Sequence, residues 1–228
     1  MKGINFIDGN RIKIDNFENP WNGRDLWHSY LDINIVKKFC KEVNTIIEFG
    51  SYDGGDGIKY KYHFPSSSVY SIEASPGCYK NIKPLEKFGL KVYNYAISDK
   101  TGELDFYQTL DPNNNNLAPC GAIEKFYVST ETGKNEKNLE ILEPIKVPCI
   151  TIKDFCKKEN IASIDLLHVD VEGHAPCVIR GLEDLRPKII YIEVKSDTHN
   201  HRNEIKRLLN ENYKCYKKTG SDDIWILK

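Results

Sequence analysis

Short apolar runs recur along the chain, at Thr45–Phe49, Val69–Ile72, Lys91–Tyr95, Asp165–Val169 and Lys188–Val194, and helix-length segments separate most of them. Runs of this kind read as strands, and their alternation with helices predicts a parallel sheet covered on both faces. Gly102–Thr109 and Ile145–Ile150 are strand-like too and flank a polar insertion containing Asn113 to Asn116, which reads as a loop. After Glu193 the pattern predicts a helix over Arg202–Asn212. Two closing strands follow, Lys214–Lys218 and Asp222–Leu227, joined by a Thr219-Gly220-Ser221 turn. An antiparallel hairpin therefore ends a mostly parallel sheet. Ahead of the first strand lies an aromatic-rich arm with Pro20, Trp21 and Trp27, leading into a helix-like stretch from Leu26 to Val43.

Composition narrows the class. The 228 residues, 40% hydrophobic and 29% charged, suit one globular domain with decorations, and no repeat or linker divides them. Thirty-two basic side chains balance thirty-three acidic ones, so no strong field draws nucleic acid or an anionic membrane. The seven cysteines stand singly, without the Cys-x-x-Cys spacing of zinc or redox sites, and read as reduced, mostly buried thiols. Neither a signal-peptide core nor an apolar run near the roughly 20 residues of a membrane helix is present, so a soluble, cytoplasmic protein is expected.

The chemistry gathers where strands end. Glu48-Phe49-Gly50-Ser51-Tyr52-Asp53-Gly54 runs a buried strand into a turn whose two glycines let backbone approach a ligand. Its Gly-x-x-x-Gly spacing lacks the middle glycine of a dinucleotide loop, and Glu48 suits a ligand carrying an ammonium or sulfonium better than a pyrophosphate. Glu73 ends the second strand, where a carboxylate can accept hydrogen bonds from both ribose hydroxyls before Ala74, Ser75 and Pro76 start the next helix. Each acid alone reads equally as a turn residue or a helix cap. Their order and spacing favour one cationic nucleoside spanning both turns.

Several ordered blocks resemble the FkbM family of S-adenosylmethionine-dependent methyltransferases. They are Glu48 to Gly54, Ser71 to Pro76, Asn94-Tyr95-Ala96-Ile97-Ser98-Asp99, Gly102-Glu103-Leu104, Ile150 to Phe155, Asp165 to Gly173, Gly181-Leu182 and Tyr191 to Val194. The resemblance covers about Thr45 to Lys195, and Asp165-Leu166-Leu167-His168-Val169-Asp170-Val171-Glu172-Gly173 is its most specific block. His168 departs from a usual lysine, and Ala175 from a common glutamate. The resemblance implies an α/β, Rossmann-like seven-stranded methyltransferase fold over 45–228; residues 1–44 read as an N-terminal arm and helix that either packs on the site as core or lids it. It implies S-adenosyl-L-methionine as cofactor, with Glu48 and the turn Gly50, Ser51, Tyr52, Asp53, Gly54 at the methionine end. Glu73, Ala74 and Ser75 are then at the ribose, Ala96, Ile97 and Ser98 near the adenine, and Asp170 beside the cofactor.

Methyl transfer from a sulfonium is an in-line displacement that needs alignment above all, while a hydroxyl nucleophile gains from a base. Asp170 is the first candidate, followed by Glu172, His168 and His174 near the fourth strand's end. Structural roles compete with these: Glu172 as a helix cap, and Asp170 held by backbone amides. His199 and His201 read as exposed or substrate-contacting. With Glu193, Asp197 and Asp170 the histidines could also hold a divalent cation such as Mg2+, although no compact ligand motif is present. Trp21, Trp27, His28 and Tyr30 could stack on a sugar or fill a core, and the insertion with Lys125, Phe126 and Tyr127 could cover substrate. The acceptor expected from the resemblance is a hydroxyl of a sugar, glycan or glycosylated small molecule. Alternatives are a ribose or other hydroxyl of nucleic acid, a nicotinamide-dependent oxidoreductase, and a catalytically silent nucleoside-binding module. The residues leave oligomeric state open.

Overall fold

The computed structural model describes residues 3–17, 24–112, 116–118, 121–124, 139–194, 201–219 and 221–228. Pro20, Trp21, Asn113 to Asn115, Lys125, Phe126, Tyr127, Lys195, Asp197, His199 and Gly220, named above, lie outside these residues.

The arm folds as three short strands, β1 (Ile4–Ile7), β2 (Arg11–Ile14) and β3 (Leu26–Trp27), paired antiparallel in that order. The helix expected from Leu26 is therefore shorter. Leu26 and Trp27 pair with Ile12 and Arg11, and α1 spans only Ile33–Phe39, where the Asp32 carboxylate caps the Asn34 amide. A long-range pairing has overridden the local helical pattern.

Beyond α1 the predicted alternation holds. It runs through β4 (Thr45–Phe49), α2 (Gly55–His63), β5 (Ser68–Ile72), α3 (Pro76–Ile82) and, after a 3-10 turn, β6 (Leu90–Tyr93). Next come β7 (Ala96–Ser98), β8 (Gly102–Phe106), β9 (Thr109–Asp111), β10 (Asn116–Leu117), β11 (Glu140–Ile141), β12 (Ile145–Thr151) and α4 (Ile152–Lys158). The chain closes with β13 (Leu166–Val169), α5 (Ala175–Arg180), β14 (Ile189–Glu193), α6 (His201–Leu209), β15 (Tyr213–Thr219) and β16 (Asp222–Leu227). The central sheet has seven strands in the order β15-β16-β14-β13-β4-β5-β6. Its five inner-chain strands are parallel, whereas β16 runs antiparallel between β14 and β15, as the closing hairpin predicted. Two small sheets, β7-β12-β8 and β10-β9-β11, stand beside it.

Alternation along each central strand sorts side chains to two cores. Ile46, Val69, Leu166 and Ile189 pack with Ile58 and Tyr60 of α2 and with Ile12 and Leu26 of the arm. Ile47, Ile72, Leu167 and Ile190 pack on the opposite face with Phe155, Val178 and Ile205 of α4, α5 and α6. Each such side chain is essentially removed from water, which stabilises the fold by roughly 1.5–3 kcal/mol apiece before chain entropy is counted. No helix among the described residues is long and apolar enough to cross a membrane.

Candidate active site

Three strand ends converge at Gly50. Its amide donates to the Ile72 carbonyl (3.0 Å), and a Cβ built on it would lie 1.6 Å from the Asp170 carbonyl oxygen. Only a residue without a side chain lets the ends of β4 and β13 come that close, and φ of +82° at Gly50 favours glycine again. Gly54, at φ +80°, then opens α2. Between them Tyr52 sits at φ +43°, a left-handed conformation uncommon for a bulky residue.

This turn faces the one after β5 across Glu73. The Tyr52 amide donates to Glu73 Oε2 and the Ser75 amide to Oε1, each at 2.8 Å, so both turns grip one carboxylate. Glu73 is buried, and desolvation raises its carboxyl above the ordinary range against the opposing pull of those amides.

A cavity spans the two turns. Glu48, Gly50, Ser51, Tyr52 and Asp53 form its floor, together with Asp56, and Glu73, Ala74 and Ser75 form one side. Ala96 and Ile97 line a second wall, while Trp27, Asp170 and Glu172 stand along another part of the lining. Phe106 at the end of β8, with Gln108, Leu117 and Ile123 from the segment between β8 and β12, completes the enclosure. These last residues, with Asp56, were not singled out from the sequence. Their contribution depends on the β9 and β10 pairing, which brings a distant segment back over the turns.

Beneath the floor runs a polar row. Ser71, Glu48, His168 and Tyr191 stand in register on four adjacent strands and share the α2 face of the sheet. The row is buried: Ser71 Oγ donates to Glu48 Oε2 (2.8 Å), and Tyr60 Oη lies 3.0 Å from His168 Nδ1. Carboxylate oxygens of Glu48 and Asp56 and a His168 ring nitrogen lie within 4.8 Å of one another. Burial, then the neighbouring Asp56 charge, pushes the Glu48 carboxyl well above its ordinary value. Asp56 also anchors the arm, accepting from the Ser29 amide (2.9 Å) and Ser29 Oγ (2.7 Å). Lys59 Nζ donates to the Ser29 and Leu31 carbonyls, and Asp53 accepts from the Trp27 amide (2.8 Å) and the Gly55 amide (3.0 Å). Despite those two amides, desolvation pushes the Asp53 carboxyl up to about 7.

His168, His174, Ser98 and His201 fall elsewhere. His168 belongs to the buried row and is not among the residues lining the cavity; its Nδ1 meets the Tyr60 hydroxyl of α2. His174 lies behind Ser98, with Nε2 2.9 Å from Ser98 Oγ and Nδ1 3.6 Å from a Glu124 carboxylate oxygen, and burial lowers its pKa. Neither histidine nor Ser98 lines the cavity. Gly54, the last residue of the expected cofactor turn, is likewise not among the lining residues. His201 is buried, with Nε2 2.9 Å from the Gly173 carbonyl oxygen, not exposed. Asp170, Glu172 and Glu193 offer carboxylate oxygens within 4.8 Å of one another, and Glu172 holds φ +48° as it turns the chain toward α5.

A family model, the methyltransferase FkbM domain, matches residues 48–215. The chain belongs to the FkbM methyltransferase family. It is similar to the 2-O-methyltransferase NoeI of Sinorhizobium fredii (strain NBRC 101917 / NGR234), 26% identical over 168 residues, which cover 69% of this chain and 65% of that protein. The match thus spans just under two thirds of the relative's length. Among solved structures it is similar to a precorrin-6y C5,15-methyltransferase of Geobacter metallireducens GS-15 (10% identity, TM-score 0.44, 86% of this chain and 87% of that chain). It also resembles Aeropyrum pernix fibrillarin in complex with natively bound S-adenosyl-L-methionine (14% identity, TM-score 0.42, 81% and 66%).

Proposed function

We propose that this FkbM-family chain uses S-adenosylmethionine to methylate a hydroxyl of a sugar, glycan or glycosylated small molecule, with the donor held across the two turns. The observation that carries the donor half is Glu73, a buried carboxylate oriented by amides of both turns on the cavity wall. It would accept from the ribose hydroxyls. Glu48 and Asp56, two carboxylates crowded together in the floor, would receive the ammonium of the methionine moiety, since a cation relieves their mutual repulsion. Ala96 and Ile97 would meet the adenine.

For the acceptor half, Asp170 and Glu172 supply hydrogen-bond acceptors suited to a polyol, and Trp27 a flat apolar face suited to a sugar's C–H surface. The segment 1–44 then serves the domain 45–228 as part of the cavity wall. The similarity to a 2-O-methyltransferase favours oxygen as the attacked atom. The bound donor supplies a methyl group on a sulfonium centre. Asp170 would orient the acceptor hydroxyl and take its proton as the oxygen–methyl bond forms and the sulfur–methyl bond breaks.

The test is methyl transfer to a panel of sugars, glycans and RNA, followed by product mass. The wild type is expected to methylate a carbohydrate, and Asp170→Asn to lower kcat by about 10²–10⁴-fold while still binding S-adenosylhomocysteine. Transfer to RNA alone contradicts the acceptor assignment, and a near wild-type rate in the variant removes Asp170 as the base.

A further inference from the structure

The two amides that orient Glu73 belong to residues whose side chains do something else. Tyr52, whose amide reaches Glu73 Oε2, places its hydroxyl 3.4 Å from the Leu117 carbonyl, to which it donates, while Arg24 Nη2 donates to that hydroxyl at 3.0 Å. Ser75, whose amide reaches Glu73 Oε1, accepts at Oγ from Gln108 Nε2 at 2.8 Å. Gln108 and Leu117 both belong to the segment between β8 and β12. We infer that the described residues Gln108, Leu117, Ala118 and Ile123 of this segment form a roof over the adenosyl half of the donor, and that Tyr52 and Ser75 are positioning residues tying the roof to the ribose carboxylate. The inference rests on the donor-site reading above and adds to it a task for the insertion, whose sequence pointed instead to the acceptor.

Packing supports the roof independently. A Cβ on Gly77 would come within 2.3 Å of Leu117 Cδ1, so the leucine is seated directly on the first turn of α3. Leu117, Ala118 and Ile123 line the cavity from this segment, and Ala96 and Ile97 of β7 and Ile72 of β5 line it from the two sheets below. Two apolar linings of one cavity, with a ribose-oriented carboxylate beside them, suit a flat heteroaromatic base. The left-handed backbone at Tyr52 also finds a reason, because its conformation is uncommon for a large side chain. A smaller residue would relax the backbone but would lack a hydroxyl able to reach both Arg24 and Leu117.

Calorimetric titration with two probes, S-adenosylhomocysteine and adenosine, decides the matter without an acceptor. Gln108→Leu removes the Ser75 link, and Tyr52→Phe removes only the hydroxyl, so one variant remains informative if the other misfolds. Each is expected to weaken both probes by the same factor, about 3- to 10-fold, the loss of one hydrogen bond in a ligand-shaped wall. A purely structural role would lower the melting temperature without such matched losses. Unchanged affinities overturn the inference, as does a loss confined to S-adenosylhomocysteine that spares adenosine. Failure of the wild type to bind either probe overturns the donor-site reading as well.

Discussion

Carboxylates in this cavity are held in a state that water would not give them. Glu48, Asp53 and Glu73 are each buried with desolvation as the dominant influence, and all three titrate above their ordinary range. For Asp53 the interval runs from its ordinary 3.8 to about 7. Across it the folded state binds more protons than the unfolded one, so stability is fullest at the acid end and falls as pH rises. Urea denaturation of the ligand-free protein between pH 5 and 7.5 is expected to show that decline, with Asp53 contributing on the order of 2–4 kcal/mol. Asp53→Asn should flatten the slope; an equal slope in the variant would assign it to other groups. Glu48 and Glu73 were legible in the sequence because each ends an apolar strand. His168 was not, since its neighbours Leu167 and Val169 hid a core position whose partners, Tyr60 and Tyr191, lie far away along the chain.

Elements meet here through backbone, and glycine sets how closely. At Gly50 an added Cβ would overlap the Asp170 carbonyl at 1.6 Å, whereas at Gly9, also at positive φ (+72°), it would meet nothing within 4 Å. Gly9→Ala should therefore cost only the conformational penalty, about 1–2 kcal/mol, and Gly50→Ala about 3 kcal/mol or more as β4 and β13 are forced apart. Chemical denaturation compares the two directly, and similar losses would show that strand-end contact does not limit the turn. Strands buried in the sheet were readable because a short apolar run records burial on both faces. The arm and the roof were not, because β3 and β10 are two-residue strands, too short for a periodicity, that exist through pairing with β2 and β9. The helical pattern from Leu26 survives only as α1, where Asp32 provides a start signal.

At the scale of the whole molecule, sheet order places the site. From β4 the chain moves outward to β5 and β6 on one side, then returns to β13 and β14 on the other. Crossovers leaving β4 and β13 go to opposite faces, so a crevice opens at their carboxyl ends, where Gly50 and Asp170 lie. The antiparallel β15 and β16 close the far side of β14, away from β5 and its Glu73. What the topology leaves to individual residues is the choice of ligand, and on the donor-site proposal Glu73 bears most of it. Calorimetric titration of S-adenosylhomocysteine into the wild type and Glu73→Gln tests this most directly. One binding site is expected in the wild type, weakened about 10- to 100-fold in the variant, because a charge-assisted acceptor for the ribose becomes a neutral amide. Equal affinity in the two proteins, or no binding by the wild type, would contradict the account.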